Sequence, residues 1–184
     1  FKKGILRSGL DVCVSTYPDL ANILPAGCKA DDLLVMDFAK LVDVYFGYQG
    51  LRKSMNKDDF ADMNAFLKST FNYKTRQSNI AKFFMTSANA FQIHTCHYCD
   101  TSYINVFNRE VDGQEMNHFD LDHVLDWGEC PLVGLSLFNF TPSCQVCNEK
   151  LKHSDLIRDT PTEVKKLSPT SDTYSFENNV RICV

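Results

Sequence analysis

The sequence predicts an α+β fold in which a helical segment precedes a small module of strands held together by cysteines. Apolar residues recur at helical spacing over the first 90 residues, and β-like alternation begins only after residue 100. Two Cys-x-x-Cys pairs bracket the β-like stretch. We therefore expect three segments: helices over residues 1–90, the cysteine-held module over 91–154, and an extension with a short strand over 155–184.

The composition is that of a folded protein with a buried core. The chain has 184 residues, of which 44% are hydrophobic, enough for one domain with a modest extension. It has no run of about 18 apolar residues, so we expect no membrane-spanning helix. Its first residues are too short and mixed for a secretion signal. Eight cysteines are also typical of disulfide-bonded secreted proteins, but two Cys-x-x-Cys pairs without a secretion signal indicate a reducing, cytoplasmic compartment and metal ligation.

The first 90 residues are predicted to be helical because their apolar residues recur at three- and four-residue spacing. We expect these apolar stripes, Phe66 included, to form a core or an interface rather than a cofactor site. The expected helices are one near residues 6–24 that Pro18 interrupts, one that starts at the Asp31 and Asp32 pair and ends near Gly47 or Gly50, one that starts near Lys57, and one over 78–90.

The middle segment is predicted to contain a hairpin followed by a helix. Residues 103–107 and 119–124 are expected to be its strands, with a turn at the Asp112 and Gly113 pair between them. The other expected elements are a short helix over 132–140 that carries Asn139, a helix over 143–153, and a closing strand over 174–184.

The two cysteine pairs, Cys96 with Cys99 and Cys144 with Cys147, predict a structural zinc site. Zinc prefers four soft or borderline ligands in a tetrahedron, and each Cys-x-x-Cys knuckle supplies two sulfurs on one side. The 44 residues between the knuckles imply an inserted functional module. Buried thiols or disulfides are the alternative. The remaining cysteines lack partner spacing and are expected to be small buried hydrophobes: Cys13, Cys28, Cys130 and Cys183.

Four polar residues lie between or directly after the knuckles. Asp122 and His123 form an adjacent pair, Asn139 follows them, and Asn148 comes directly after the last cysteine. A carboxylate, an imidazole and two amides held around a zinc-stabilised frame suit metal-assisted cleavage of a phosphodiester.

Charge is distributed unevenly along the chain. Residues 1–90 carry 12 Lys and Arg against 9 Asp and Glu, whereas residues 91–154 carry 3 against 9. Phosphate neutralisation drives nucleic-acid affinity, so the middle segment is poorly suited to grip DNA alone. We expect that grip to come from the N-terminal segment, from a partner, or from both. The alternative is that the uneven charge distribution has no functional consequence.

The order of the motifs resembles the HNH (His-Me finger) endonucleases of the zinc-knuckle class. A first CxxC, the pentapeptide LDHVL, a later Asn, and CxxCN-x-K occur in family order over residues 96–150, about a third of the chain. The resemblance implies a zinc-stapled ββα-metal finger that hydrolyses phosphodiester bonds in DNA. It also implies a catalytic divalent ion, Mg²⁺ or Mn²⁺, besides the structural zinc.

The resemblance also implies a role for each matched residue. His123 would be the general base, for which its ordinary pKa near neutrality is suitable. Asp122 would be a ligand of the divalent ion, and Asn148, where many members have a final His, would be a second ligand. Asn139 would brace the loop and hold the His123 imidazole. Lys150 would contact a phosphate of the nucleic acid.

Two longer stretches resemble a narrower bacterial subgroup of HNH proteins. CHYCDTSYI and CPLVGLSLFNFTPSCQVCN are similar to proteins whose genes accompany ABC- or AAA-type ATPases in anti-phage systems such as Septu. That resemblance implies a nuclease effector of a defence complex, whose helical segment docks on an ATPase partner. Two other functions stay open: a non-catalytic zinc-finger module that binds nucleic acid or protein, and an RNA (tRNA) nuclease.

Overall fold

The structure, a computed structural model, describes residues 3–85, 94–104, 106–108, 115–117, 119–152, 159–168 and 170–174. Over these residues the fold is α+β and mostly helical, with two small antiparallel sheets of two strands each. The predicted fold class is confirmed at this level. Among the described helices, none combines the length and the apolar character that crossing a membrane requires.

Six α-helices are described, and most of them lie in the first 90 residues as predicted. Pro18 follows the first helix and begins a 3₁₀ segment, as expected of a residue that fits only the first turn of a helix. The helices are α1 (Lys3–Thr16), α2 (Ala30–Leu34), α3 (Phe38–Ser54), α4 (Lys57–Thr70), α5 (Gln77–Met85) and α6 (Pro161–Leu167), and the 3₁₀ segment is Pro18–Ile23.

The helix predicted to begin at Asp31 is divided into two, so that prediction is wrong. α2 has both predicted aspartates in its first turn, but it ends at Leu34. Asp37 then adopts an extended backbone and its carboxylate accepts the Lys40 N–H at 2.9 Å, which caps the start of α3. The Asp37 cap, three residues after the end of α2, therefore starts a second helix.

The predicted end of this helix at Gly47 or Gly50 is also wrong, because α3 continues through both glycines. Gly47 is a site of close packing instead of a stop. A Cβ atom there would lie 3.0 Å from Cβ and Cγ2 of Ile23 in the 3₁₀ segment. The missing side chain lets the two backbones approach each other.

α4 begins at Lys57, as predicted, and Asn56 caps it by accepting the Asp58 N–H at 2.9 Å. Met63 and Leu67 are fully buried. Phe66 is 38% exposed, so its predicted place in the buried stripe is wrong. One residue turns a helix by about 100°, and this rotation directs Phe66 away from the core.

The strands pair differently from the predicted hairpin. β1 (Val106–Asn108) pairs with β2 (Glu115–Asn117), and β3 (Asp120–His123) pairs with β4 (Phe140–Ser143). The strand predicted at 119–124 is therefore present, but its predicted pairing with 103–107 is wrong. The Asp112 and Gly113 turn and the 175–184 part of the closing strand lie outside the described residues.

The segment predicted as a short helix over 132–140 is a loop followed by a strand. It contains two 3₁₀ turns, Pro131–Val133 and Leu137–Asn139, and then enters β4. A π-helical segment, Val146–Lys152, begins inside the second cysteine pair and contains Cys147; we call it the knuckle helix. Two strands and the knuckle helix thus follow one another along the chain.

One hydrophobic core joins the N-terminal helices to this strand–helix module. Leu41 of α3 and Leu67 of α4 belong to the same cluster as Leu125, Leu132 and Phe140. The core is continuous across the predicted boundary between residues 90 and 91. The loop between β3 and β4 therefore rests on the helices.

Candidate functional site

The four knuckle cysteines come together in space. The Sγ atoms of Cys96, Cys99, Cys144 and Cys147 all lie within 4.8 Å of one another. Four thiolates around a zinc ion at about 2.3 Å have sulfurs about 3.8 Å apart, so this donor set fits zinc. The cluster predicted from the sequence is confirmed, and it could bind a structural zinc.

Backbone N–H groups lower the pKa of one thiol in each knuckle, Cys99 in the first and Cys144 in the second. Cys96 donates its N–H to the Ser102 carbonyl at 2.7 Å, which closes the first knuckle into a tight turn. The N–H groups of Ser102 and Thr101 lower the pKa of Cys99 to about 6. Burial raises the pKa of Cys96. The fold thus brings four thiols close together, and a bound cation would stabilise their thiolate form.

A cavity of about 410 Å³ lies between β3 and the knuckle helix. Asp122, His123 and Asn148 all line it, so the structure brings together three of the predicted site residues. Asn139 is fully buried and does not line the cavity, and Lys150 is exposed on the knuckle helix and does not line it either. The other lining residues are Tyr73, Gln77, Leu121, Asp126, Trp127, Glu149 and Lys152.

Asp122 is a buried carboxylate, 5% exposed, with two strong partners. The Tyr98 hydroxyl donates to Oδ2 at 2.5 Å. The Lys152 ammonium lies 3.2 Å from Oδ1 and 3.1 Å from Oδ2. Burial raises the pKa of Asp122, while the nearby Lys152 and Tyr98 oppose that rise. Tyr98 lies inside the first knuckle, so the cysteine cluster positions a donor on the candidate catalytic carboxylate.

His123 is held among aromatic rings. Its ring centroid lies 4.4 Å from that of Tyr73 and 4.5 Å from that of Phe140. Nε2 is 3.1 Å from the Gly134 carbonyl, which only accepts, so Nε2 carries the proton and Nδ1 the free electron pair. Burial lowers the pKa of His123 to about 4, so the pKa near neutrality expected from the sequence is wrong.

The lowered pKa of His123 predicts acid sensitivity. The unfolded chain binds the His123 proton below about pH 6.5, whereas the folded protein binds it only near pH 4. As pH falls through this window, the unfolded state takes up more protons and the free energy of unfolding falls, by about 3 kcal/mol from this group. We expect urea denaturation near pH 7 and about pH 4 to show a smaller loss for His123→Phe than for wild type. An equal loss in both proteins would contradict the burial of a neutral imidazole.

Asn139 braces the loop that holds His123. Its Oδ1 accepts the Leu125 N–H at 2.8 Å, and its Nδ2 donates to the carbonyls of Leu125 and Val133, both at 3.0 Å. Val133 directly precedes Gly134, whose carbonyl accepts from the His123 ring. The buttressing contacts expected of Asn139 are therefore present, and they reach the imidazole through the loop backbone.

Asn148 pairs with a carboxylate that the sequence analysis did not single out. Its Nδ2 donates to Oδ2 of Asp120 at 3.2 Å. Asp120 and Asp122 are two apart on β3 and so share a face, and Asn148 and Lys152 are four apart on the knuckle helix. From these two spacings, Asp120 and Lys152 could have been predicted as further residues of the site. Nothing in the sequence indicated Tyr98, because its contact depends on how the first knuckle packs on β3.

The site is strongly acidic. A second cavity of about 220 Å³ shares Asn148 and Glu149 with the first and adds Asp120 to its lining. Among the described residues that line these two cavities, Lys152 is the single lysine or arginine. The four acidic residues there are Asp120, Asp122, Asp126 and Glu149. Such a surface repels a phosphate unless a further cation is bound.

Comparisons of the chain with protein-family models, with curated proteins and with solved structures find no match. The functional interpretation therefore depends on the residues of the cavity and of the cysteine cluster.

Proposed function

We propose that this protein is a metal-dependent HNH endonuclease that hydrolyses phosphodiester bonds in DNA. The observation that carries the proposal is the convergence of Asp122, His123 and Asn148 on one cavity beside the four-cysteine cluster. The order strand, loop, strand, helix supports a ββα-metal finger. Asn139, with its three hydrogen bonds to the loop backbone, occupies the bracing role that the family resemblance implies.

The acidic cavity supports the need for a divalent ion. Mg²⁺ or Mn²⁺ bound by Asp122 and Asn148 would polarise the scissile phosphate and stabilise the leaving 3′ oxygen. Hard carboxylate and amide oxygens suit these ions. The four carboxylates of the two cavities favour a cation and disfavour an unaccompanied phosphate.

His123 would act as the general base. With Nε2–H bonded to the Gly134 carbonyl, Nδ1 is the nitrogen that accepts a proton from the attacking water. Tyr73 and Phe140 restrict rotation of the ring. A pKa of about 4 keeps the imidazole unprotonated at neutral pH, the state that a base requires, although it weakens the base.

We further propose that the protein is the nuclease effector of a bacterial anti-phage complex and works with an ABC- or AAA-type ATPase. Because the cavity is acidic, positively charged residues outside the proposed ββα-metal finger would be needed to bind the DNA backbone. Exposed lysines on the N-terminal helices, Lys53, Lys68 and Lys82 among them, offer a surface for DNA or for an acidic partner.

A non-catalytic zinc-finger module is the second candidate function. The ion pair between Asp122 and Lys152 favours it, because a carboxylate that already has a buried cationic partner is a less available metal ligand. In that case the cavity would have no catalytic role.

A cleavage assay tests the proposed function. Zinc-loaded protein with Mg²⁺ or Mn²⁺ should nick or cut supercoiled plasmid, and chelation of the divalent ion should stop the reaction. Equal amounts of a structured RNA are assayed in parallel, since the same groups could hydrolyse either backbone. Cleavage of RNA alone would replace DNA as the substrate, and cleavage of neither would favour the non-catalytic module.

A further inference from the structure

Lys152 is buried against the candidate catalytic carboxylate. It is 9% exposed, and its ammonium lies 2.9 Å from the His123 carbonyl and within 3.2 Å of both Asp122 oxygens. These three acceptors match the three donors of an ammonium group. Lysine is seldom buried to this extent unless it is paired. The three acceptors therefore form a cation-binding site that the Lys152 ammonium occupies.

The same carboxylate is the proposed ligand of the divalent ion. The Tyr98 hydroxyl also donates to Oδ2, so both Asp122 oxygens are engaged. A divalent ion bound to either oxygen would lie within a few ångströms of the ammonium, and in a buried site like charges repel strongly. The ammonium and the divalent ion therefore exclude each other at Asp122.

We propose that Lys152 is an internal counter-ion that competes with the catalytic divalent ion, and that metal loading requires its ammonium to leave Asp122. This inference rests on the proposed function and deepens it by identifying what controls metal loading. The long, flexible lysine stem permits the movement. Glu149 lies three residues earlier on the knuckle helix and lines the same cavity, so it offers the released ammonium another carboxylate.

Mn²⁺ binding to the zinc-loaded full chain tests the proposal directly. Binding is measured from the electron paramagnetic resonance signal of free Mn²⁺, without any nucleic acid. Lys152→Met should bind Mn²⁺ at least tenfold more tightly than wild type, because the competitor is gone and the carboxylates remain. Lys152→Arg, which keeps the charge, should bind as weakly as wild type. Lys57→Met, which changes an exposed lysine at the start of α4 that lines neither cavity, controls for the general loss of one positive charge.

The site of binding is checked by combining two changes. Asp122→Asn in the Lys152→Met background should lose the tight Mn²⁺ site. The proposal would be overturned if Lys152→Met bound Mn²⁺ no more tightly than wild type does. Equal affinity would show that the ammonium does not compete with the ion, and weaker affinity would show that it supports ion binding.

Removal of Lys152 leaves the buried Asp122 carboxylate with the Tyr98 hydroxyl but without its cationic partner, so stability is measured as well. Mn²⁺ should raise the melting temperature of Lys152→Met more than that of wild type, because the ion replaces the lost partner. If Lys152→Met does not fold alone, it and Lys152→Gln are refolded with Mn²⁺, and failure of both to recover also overturns the proposal. The proposed function is judged separately, by whether wild type cleaves nucleic acid at saturating Mn²⁺.

Discussion

We expect His123→Ala to abolish Mg²⁺- or Mn²⁺-dependent plasmid cutting while the protein keeps its zinc. Loss of a positioned general base costs about 10² to 10⁴ in rate, which takes a typical nuclease below detection. His123 lies outside the cysteine cluster, so zinc content should stay at one ion per chain. The measurements are the rate of supercoiled plasmid loss and the zinc content of the same preparation.

Two variants make this result specific. His123→Phe keeps an aromatic ring between Tyr73 and Phe140 but has no ring nitrogen to accept a proton, so it should also be inactive and should stay folded. His94→Ala changes an exposed histidine that does not line the cavity, and it should cut like wild type. Cutting by His123→Ala at the wild-type rate would remove the general-base assignment.

Cys96→Ser should have the largest effect on stability. A structural zinc contributes about 10 to 16 kcal/mol of apparent binding energy to small zinc-finger peptides near neutral pH, and that energy is folding energy. Cys96 is fully buried in the cluster, so its loss should release zinc and unfold the module. Activity should then fall as well, because Tyr98 in the same knuckle loses its position on Asp122.

Metal analysis and limited proteolysis check the zinc prediction. Cys96→Ser should lack stoichiometric zinc and be cleaved rapidly within the module. Cys28→Ser, which changes a half-buried cysteine outside the cluster, should keep both zinc and protease resistance. Stoichiometric zinc together with unchanged resistance in Cys96→Ser would contradict a structural role for the cluster.

Local patterns predicted most of the helices but missed the break between Leu34 and Phe38 and misplaced the end predicted at Gly47 or Gly50. The start of α4 and the break at Pro18 follow from capping and from proline geometry, which act over a few residues. Gly47 was expected to end a helix, but it lies inside α3, where its missing side chain leaves room for Ile23. A glycine has no local feature that distinguishes a stop from a close approach.

Strand pairing was the weakest part of the sequence prediction. Residues 119–124 show strand-like alternation and were predicted to be a strand. Their partner β4 contains Pro142 and overlaps the end of the segment predicted as a short helix, 132–140, so it was not predicted to be a strand. The free energy of a two-stranded pairing comes from contacts with the other strand and the core beneath it. Such contacts are not visible in a window of a few residues.

The residue types and spacing in the sequence alone determined the two Cys-x-x-Cys pairs of the cysteine cluster, the adjacent Asp122 and His123, and the helical character of the first segment. These features depend on residue types and on spacings of a few positions along the chain. Only the tertiary structure decided that Tyr98 and Lys152 both bind Asp122, and that aromatic rings bury His123 and lower its pKa. The two Asp122 contacts join residues more than twenty positions apart, and Phe140 lies seventeen positions from His123. Burial, which sets the strength of these contacts, is a property of the assembled core.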